Sequence, residues 1–475
     1  MKMLWNRLLT KHNIRMRNLL ITIGLIILTF SSCTKKEVQP PVLPLVQPLS
    51  LKSLSIQSES KVVPNELLIK YKDGVDENRK SLVLERISGH HKEKIFTHAM
   101  VKNGDKQGLA LVSMPGNVDE AISKIRSHAD VEYVEPNYIY TQQAVSNDTF
   151  YGYQWGMFGP STSPSNPNGS QAAVAWASGH TGSGLVYVGI IDSGYMYYHD
   201  DLGGNAGTNP GEIAGDGIDN DGNGYIDDVY GWDFNSNDNT VFDGIEDQHG
   251  TLVAGIIGAV GGNGTGIAGV CWNVKLLNAK FVGPQGGTLA NAIKAIDYFT
   301  NLKLNGVNIV ATNNSWSGGA YSQALRDAIE RANKANILFI AAAGNNGMNT
   351  EITPVYPSCY PNSNIISVAS INSTGALSTF SNYAESKVDI CAPGENIASC
   401  IPALDVNGNI FSWYGISSGT SLAAPFVTGA AALYASQHPN ARANQIKEAI
   451  LDSRKEVHAL EAKCKAQGIL NLSEF

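Results

Sequence analysis

Apolar residues in the longer, C-terminal part of this chain fall into two alternating kinds of run. From about position 147 onward, continuous apolar and β-branched stretches at 185–191, 307–312, 337–342 and 365–368 are interleaved with stretches of helical spacing at 251–260, 289–300, 323–334 and 421–437. A strand that is apolar on both sides must be covered on both sides, and a helix between consecutive strands supplies that cover. The pattern therefore predicts an α/β fold with a mostly parallel sheet and helices on both faces. Reactive groups in such a sheet belong beyond the carboxyl ends of its strands.

Upstream the rhythm changes. Positions 66–71 alternate like a strand, 77–88 have helical spacing, 109–114 read as a strand, 118–128 as a helix, and 131–137 as a last strand that includes Tyr133-Val-Glu-Pro-Asn137. This predicts a small α+β domain ahead of the larger one. Residues 34–60 are rich in Pro, Ser, Gln and Lys, with Pro40, Pro41, Pro44 and Pro48 denying regular structure, and read as a tether. Before them Lys2, Arg7, Lys11, Arg15 and Arg17 precede an apolar run at 19–30 and then Ser31-Ser32-Cys33. That run is short for a bilayer span, which favours an export signal over a membrane anchor. Small residues before a cysteine resemble a bacterial lipoprotein signal, in which Cys33 receives lipid; an ordinary secretory signal is the alternative. The expected division is 1–32 signal, 33–60 tether, 61–142 small domain and 143–475 large domain.

Composition narrows the classes. With 475 residues and 43% apolar side chains, the chain holds two or three domains and at least one large core. A net charge of −8 and the lack of a dense Lys/Arg patch interleaved with aromatics argue against nucleic acid as a partner. Five cysteines follow Cys33, and in an exported chain, where disulfides form, an odd number leaves at least one unpaired; Cys391 and Cys400, the nearest pair in sequence, are the expected bridge, and Cys271 reads as a small buried apolar residue.

Three short stretches carry the chemistry: Val188-Gly-Ile-Ile-Asp192-Ser-Gly194, His249-Gly-Thr-Leu-Val-Ala-Gly255 and Ser418-Gly-Thr-Ser421-Leu-Ala-Ala-Pro425. Each sets a polar residue where a strand or loop meets a helix. A serine nucleophile needs an imidazole to take its proton, and the imidazole needs a carboxylate to fix its tautomer and stabilise its charged form. Alone, Asp192-Ser-Gly194 is an ordinary turn and His249 an ordinary structural histidine. Together, in the order Asp, His, Ser, they match a known protease template. Separately, Asp219-Asn-Asp221-Gly-Asn223-Gly224-Tyr225-Ile-Asp227-Asp228 follows the opening of an EF-hand loop. Tyr230 stands where the bidentate Glu belongs, so the loop reads either as a calcium site completed by Asp227 or Asp228 or as a plain solvated loop.

On these motifs, from about Val62 to the C-terminus, the chain resembles subtilisin-type serine proteases of the thermitase-like branch, preceded by an inhibitor-type prodomain. The resemblance implies a subtilisin-like fold and an endopeptidase with Asp192, His249 and Ser421 as catalytic residues. It also implies that Asn345, in Ala342-Ala343-Gly344-Asn345, donates to the oxyanion together with the Ser421 N–H, and that Ser315, Trp316, Ser317 and Gly318, with Ala342 to Gly344, bind the peptide. Lining by Ala342 to Gly344 points to a roomy apolar pocket and broad preference. Departures from the family pattern are Ser317 for a glycine, which would narrow the pocket, and Leu252 for a second histidine and Leu422 for a methionine; neither of the last two removes a group the mechanism requires.

The same resemblance implies calcium as a structural cofactor, with no catalytic metal. One site takes Asp148, Asp201, Val260, Asn263, Thr265 and Ile267; a weaker one takes Asp233, Asp238 and Thr240, with Ser236 and Phe242 in place of oxygen ligands. The expected partners are protein and peptide substrates, the chain's own prodomain as inhibitor, and a membrane through lipid on Cys33 before a cut between about 140 and 147; a monomer is expected. The product would be an exported envelope lipoprotein whose mature domain is released. Two other readings are a catalytically silent binding scaffold and an enzyme confined to self-processing.

Overall fold

The computed structural model describes residues 62–138 and 146–475. The expectations on the signal, the tether, Cys33 and most of the 140–147 stretch lie outside these residues. No helix among the described residues is long and apolar enough to cross a membrane.

Residues 62–138 form a four-stranded antiparallel sheet in the spatial order His90–Ile95, Leu109–Ser113, Val62–Tyr71, Val131–Tyr138. Helices Glu77–Glu85 and Val118–Ile125 close its core, in which Leu67, Ile69, Val83, Val112 and Ile125 are fully buried. Both helices start on a side-chain cap. Asp76 Oδ1 accepts from Arg79 N at 2.9 Å, and Asn117 Oδ1 accepts from Asp119 N at 2.8 Å, each satisfying an amide the first turn leaves open. The strand His90–Ile95 was not foreseen. Its sequence, His-His-Lys-Glu-Lys-Ile, has no apolar alternation because it is an exposed edge strand held by backbone pairing to Leu109–Ser113.

The larger unit is built on a nine-stranded sheet. Its order is Lys455–Glu456, Gly468–Ile469, Ile390–Pro393, Ile365–Ile371, Leu338–Ala342, Ile309–Asn314, Gly182–Asp192, Asn273–Lys280, Gly231–Asp233. Every neighbouring pair is parallel except the first, Lys455–Glu456 with Gly468–Ile469. In strand Leu338–Ala342, Phe339 and Ala341 share a core with helices Leu289–Leu304 and Gln323–Lys334. Leu338 and Ile340 alternate to the opposite face, where helix Thr420–Gln437 packs along the central strands. The predicted parallel sheet covered on both faces is what the chain adopts. Strand Asn273–Lys280 was missed because Lys275, Asn278 and Lys280 interrupt its apolar run. Also unforeseen was the hairpin Ile397–Leu404 and Ile410–Ser417, which runs straight into Ser418.

The cysteine expectation needs correcting. All five cysteines after Cys33 are buried free thiols, and Cys391 faces not Cys400 but Cys464, with the sulfurs 3.5 Å apart. Cys400 lies in the hairpin strand, close against Gly255. Cys271 is fully buried, as expected, and burial pushes its thiol up to about 12.

Candidate active site

Asp192 ends its strand nearly buried, at 2% exposure, and its Oδ1 lies 2.7 Å from both Ser193 N and His249 Nδ1. His249 is the second residue of helix Gln248–Gly258 and keeps 43% of its side chain exposed, so its outer face is open to a substrate. Two glycines let the acid and the base approach. A methyl on Gly194 would lie 2.3 Å from Val241 O and 2.4 Å from Asp247 Oδ2, and one on Gly250 would lie 2.4 Å from Gly194 O. Partial burial works to lower the His249 pKa, but the charge of Asp192 and its hydrogen bond outweigh it, and the net direction is upward. An imidazole so held is a stronger base with its second nitrogen free.

Ser421 is the second residue of helix Thr420–Gln437. A methyl built on Gly419 would lie 3.4 Å from Ser421 Oγ, 3.6 Å from Asn345 Nδ2 and 3.6 Å from Ser421 N. One small space is therefore bordered by a hydroxyl and two N–H donors, the arrangement a tetrahedral oxyanion needs. The amide of Asn345 has a fixed orientation: Oδ1 accepts from Thr420 N at 2.8 Å and Thr420 Oγ1 at 2.9 Å, which leaves Nδ2 facing the space at Gly419. Among the described residues His249 has one side-chain hydrogen bond, to Asp192, and Ser421 Oγ has none. The helices that carry His249 and Ser421 pack against each other.

Residues expected to bind the peptide lie at the ends of adjacent strands. Ser315 follows strand Ile309–Asn314 and donates to Ser421 O at 2.7 Å. Trp316 is half-buried against Phe281 and Phe339, whereas Ser317 and Gly318 are exposed. Ala342, Ala343 and Gly344 are buried at the end of their strand, and Gly344 takes a left-handed φ of 101° while donating to Thr420 Oγ1 at 3.1 Å. A side chain there would meet Asn382 Nδ2 at 2.4 Å, so glycine is required on two counts. Val355 Cγ1 would stand 3.5 Å from that side chain, a neighbour that the sequence did not reveal.

Comparison with known proteins adds an independent line. The subtilase family pattern matches residues 183–469, and that of the fervidolysin N-terminal prodomain matches residues 52–137. The chain belongs to the subtilase family. A thermophilic serine proteinase of Bacillus sp. (strain AK1) is 30% identical over 396 residues, 83% of each chain. An extracellular basic protease of Dichelobacter nodosus is 30% identical across 81% of this chain and 64% of its own length. Among solved structures, a protease of Pseudoalteromonas arctica superposes with a TM-score of 0.56 at 25% identity, covering 70% of this chain and 98% of that one. The protein is thus a subtilisin-type serine endopeptidase with an N-terminal prodomain.

The three oxygen-rich places expected in this subtilase differ in character. In the first, Asp148 accepts from the amides of Gly262, Asn263 and Gly264 at 2.9 to 3.0 Å, and Asp201 accepts from Asn263 Nδ2 and Ile267 N at 2.8 Å. Val260 N donates to Asp201 O at 2.8 Å and Thr265 N to Asn263 Oδ1 at 2.7 Å, so all six expected residues meet. Burial pushes Asp201 up to about 7, with Asp148 adding repulsion. A carboxylate so raised lacks full compensation from the protein, and a bound cation would supply it.

In the second place Asp221 and Asp228 meet Glu212, with ligand atoms within 4.8 Å of one another. Glu212 was missed because it precedes the loop motif. Asp219 and Asp227 serve the loop itself: Asp219 accepts from Asn223 N and Gly224 N, and Asp227 from Gly215 N and Gly217 N. The Tyr225 ring packs against Trp232 and Phe234, and Asn223 Nδ2 donates to Asp221 and Asp228. Burial pushes Asp228 up to about 6. In the third place Thr240 Oγ1 and N both donate to Asp238, while Asp233 has Lys280 Nζ 3.7 Å away. A positive charge of the protein's own already stands there.

Proposed function

We propose that this subtilase cleaves extended or unfolded proteins through an acyl-enzyme formed on Ser421, and that it matures by cutting itself between about residues 140 and 147. The observation that carries the reading is the joint border of Ser421 Oγ, Ser421 N and Asn345 Nδ2 on one space, at the start of a helix packed against the one that carries His249, itself hydrogen-bonded to Asp192. Ser421 Oγ attacks the scissile carbonyl carbon while His249 takes the hydroxyl proton. Asn345 Nδ2 and the Ser421 N–H donate to the oxyanion. The protonated imidazole, stabilised by Asp192, passes its proton to the leaving amine; water then attacks the acyl group by the same route and frees Ser421. The exposed segment at Ser317 and Gly318 offers backbone to a substrate lying as an added strand, which favours extended chains over folded ones.

Calcium fits the first place best, held by Asp148, Asp201, Asn263 and Thr265 with the carbonyls of Val260 and Ile267, and next the cluster of Glu212, Asp221 and Asp228. There it would neutralise buried charge and tie distant segments together. The prodomain would occupy the cleft as inhibitor until it is degraded. With lipid on Cys33, self-cleavage would separate anchor from enzyme and release the mature domain. Ser421→Ala in the full chain tests the self-cleavage step: the precursor should accumulate uncut. Normal processing of that variant would assign the cut to another protease. Tags at both ends, followed through membrane fractionation, test the release; a mature domain still bearing lipid would refute it.

A further inference from the structure

Directly behind the catalytic pair is a buried cluster that the chemistry above does not use. Lys280, the last residue of strand Asn273–Lys280, has only 4% of its side chain exposed. Its Nζ lies 2.9 Å from Asp247 Oδ2 and 2.5 Å from Asp243 Oδ2, with Asp233 Oδ2 at 3.7 Å. Asp247 is 2% exposed and is the residue two before His249. Its other oxygen, Oδ1, accepts from Gly194 N at 3.1 Å, two residues after Asp192. Lys280 also pairs in register with Asp192, and the next residue, Phe281, donates its N–H to Asp192 O at 3.0 Å.

The Asp192 turn and the start of the His249 helix are thus fastened together twice, once through this cluster and once beside it. On one side Asp247 grips the backbone just after Asp192; on the other Gly250 N donates to Ser193 Oγ at 3.0 Å. We propose that Lys280 and Asp247 are positioning residues for catalysis: the Lys280 ammonium holds the Asp247 side chain still, and Asp247 staples the Asp192 turn to the start of the His249 helix. The charged groups facing this corner are Asp192 on its strand, Asp243 and Asp247 ahead of the helix, and Lys280 and Asp233 from neighbouring strands. Without Lys280, the buried carboxylates of Asp247 and Asp233 would be left with no counter-charge beside the exposed Asp243, and an uncompensated buried charge forces rearrangement. Burial works against the charge of Lys280, but hydrogen bonds to Asp243 and Asp247 outweigh it and hold the ammonium above its ordinary value.

The inference rests on the proposed roles of Asp192 and His249, and the test separates the two. Mature wild-type, Lys280→Met and Lys280→Arg proteins are titrated with a fluorophosphonate, and kcat, KM and the pH profile are measured per reactive site. In Lys280→Met, kcat should fall about tenfold to a hundredfold, the range for a misplacement near an ångström, with KM within about twofold. Its acid limb should move down toward the ordinary histidine value as the Asp192 contact loosens. Lys280→Arg, which keeps the charge, should recover most of kcat. A Met variant that loses only thermal stability, with kcat and limb unchanged, would overturn the proposal, as would Arg and Met variants equally impaired in kcat. Should Lys280→Met not fold, Asp247→Asn, nearly the same shape without the charge, is read the same way. Absence of any fluorophosphonate reaction in wild type would instead overturn the catalytic assignment itself.

Discussion

His249 carries two consequences of opposite sign. Asp192 raises its pKa above the ordinary value of 6.5, so the charged pair stabilises the folded state at low pH and loses that contribution as pH rises through the raised value. In the proposed mechanism the neutral imidazole of His249 takes the Ser421 proton, so activity should appear as pH rises through the same value. The acid limb of kcat/KM is expected above pH 6.5. Asp192→Asn should lower kcat by about 10⁴-fold, the loss typical when the imidazole is left in the wrong tautomer, and move the limb down. Asn345→Leu should reduce kcat about 10²- to 10³-fold with little change in KM, a magnitude established for the corresponding donor in subtilisin. Steady-state kinetics across pH check all three.

At the level of elements, the site depends on how closely the hairpin Ile397–Leu404 and Ile410–Ser417 lies on the His249 helix. Ser399 Oγ donates to Leu252 O at 2.6 Å, and a methyl on Gly255 would meet Ser399 Oγ at 2.4 Å and Cys400 N at 2.9 Å. Gly255→Ala should therefore push helix and hairpin apart and destabilise the fold by roughly 1–3 kcal/mol, measurable by denaturant unfolding. Elements of this kind mark where the sequence was legible. Gln323–Lys334 was readable to the residue because its apolar stripe faces one core and Ser322 caps it. Asp192, His249 and Ser421 stood out because each sits at a strand or helix end with glycine beside it. Polar edge strand His90–Ile95 stayed hidden, since backbone pairing rather than side-chain pattern holds it. Glu212, Lys280 and Asp247 stayed hidden because their meaning arises only when distant segments fold together. The pairing of Cys391 and Cys400 failed for the same reason: nine residues apart in sequence, they lie in different sheets, Cys391 in the parallel sheet and Cys400 in the hairpin.

For the whole molecule, a large parallel sheet made of distant segments folds slowly, and the small N-terminal domain is a candidate template. Refolding residues 146–475 alone should be slow and incomplete, and adding 62–138 in trans should raise the recovered activity. Rapid full recovery without it would remove that role. Removing calcium should lower the thermal midpoint and speed self-digestion much more than it lowers initial turnover, because the expected ions lie in the scaffold; a site filled to a hundred times its dissociation constant contributes about 2.7 kcal/mol. Thermal scans with and without chelator check this. The central claim is that one serine among many is activated by the constellation at positions 192, 249 and 421. Labelling the mature protein with a fluorophosphonate and mapping the adduct by peptide mass tests it most directly. The account predicts a single adduct on Ser421 that disappears in His249→Ala; no adduct, or one on another serine, would contradict it.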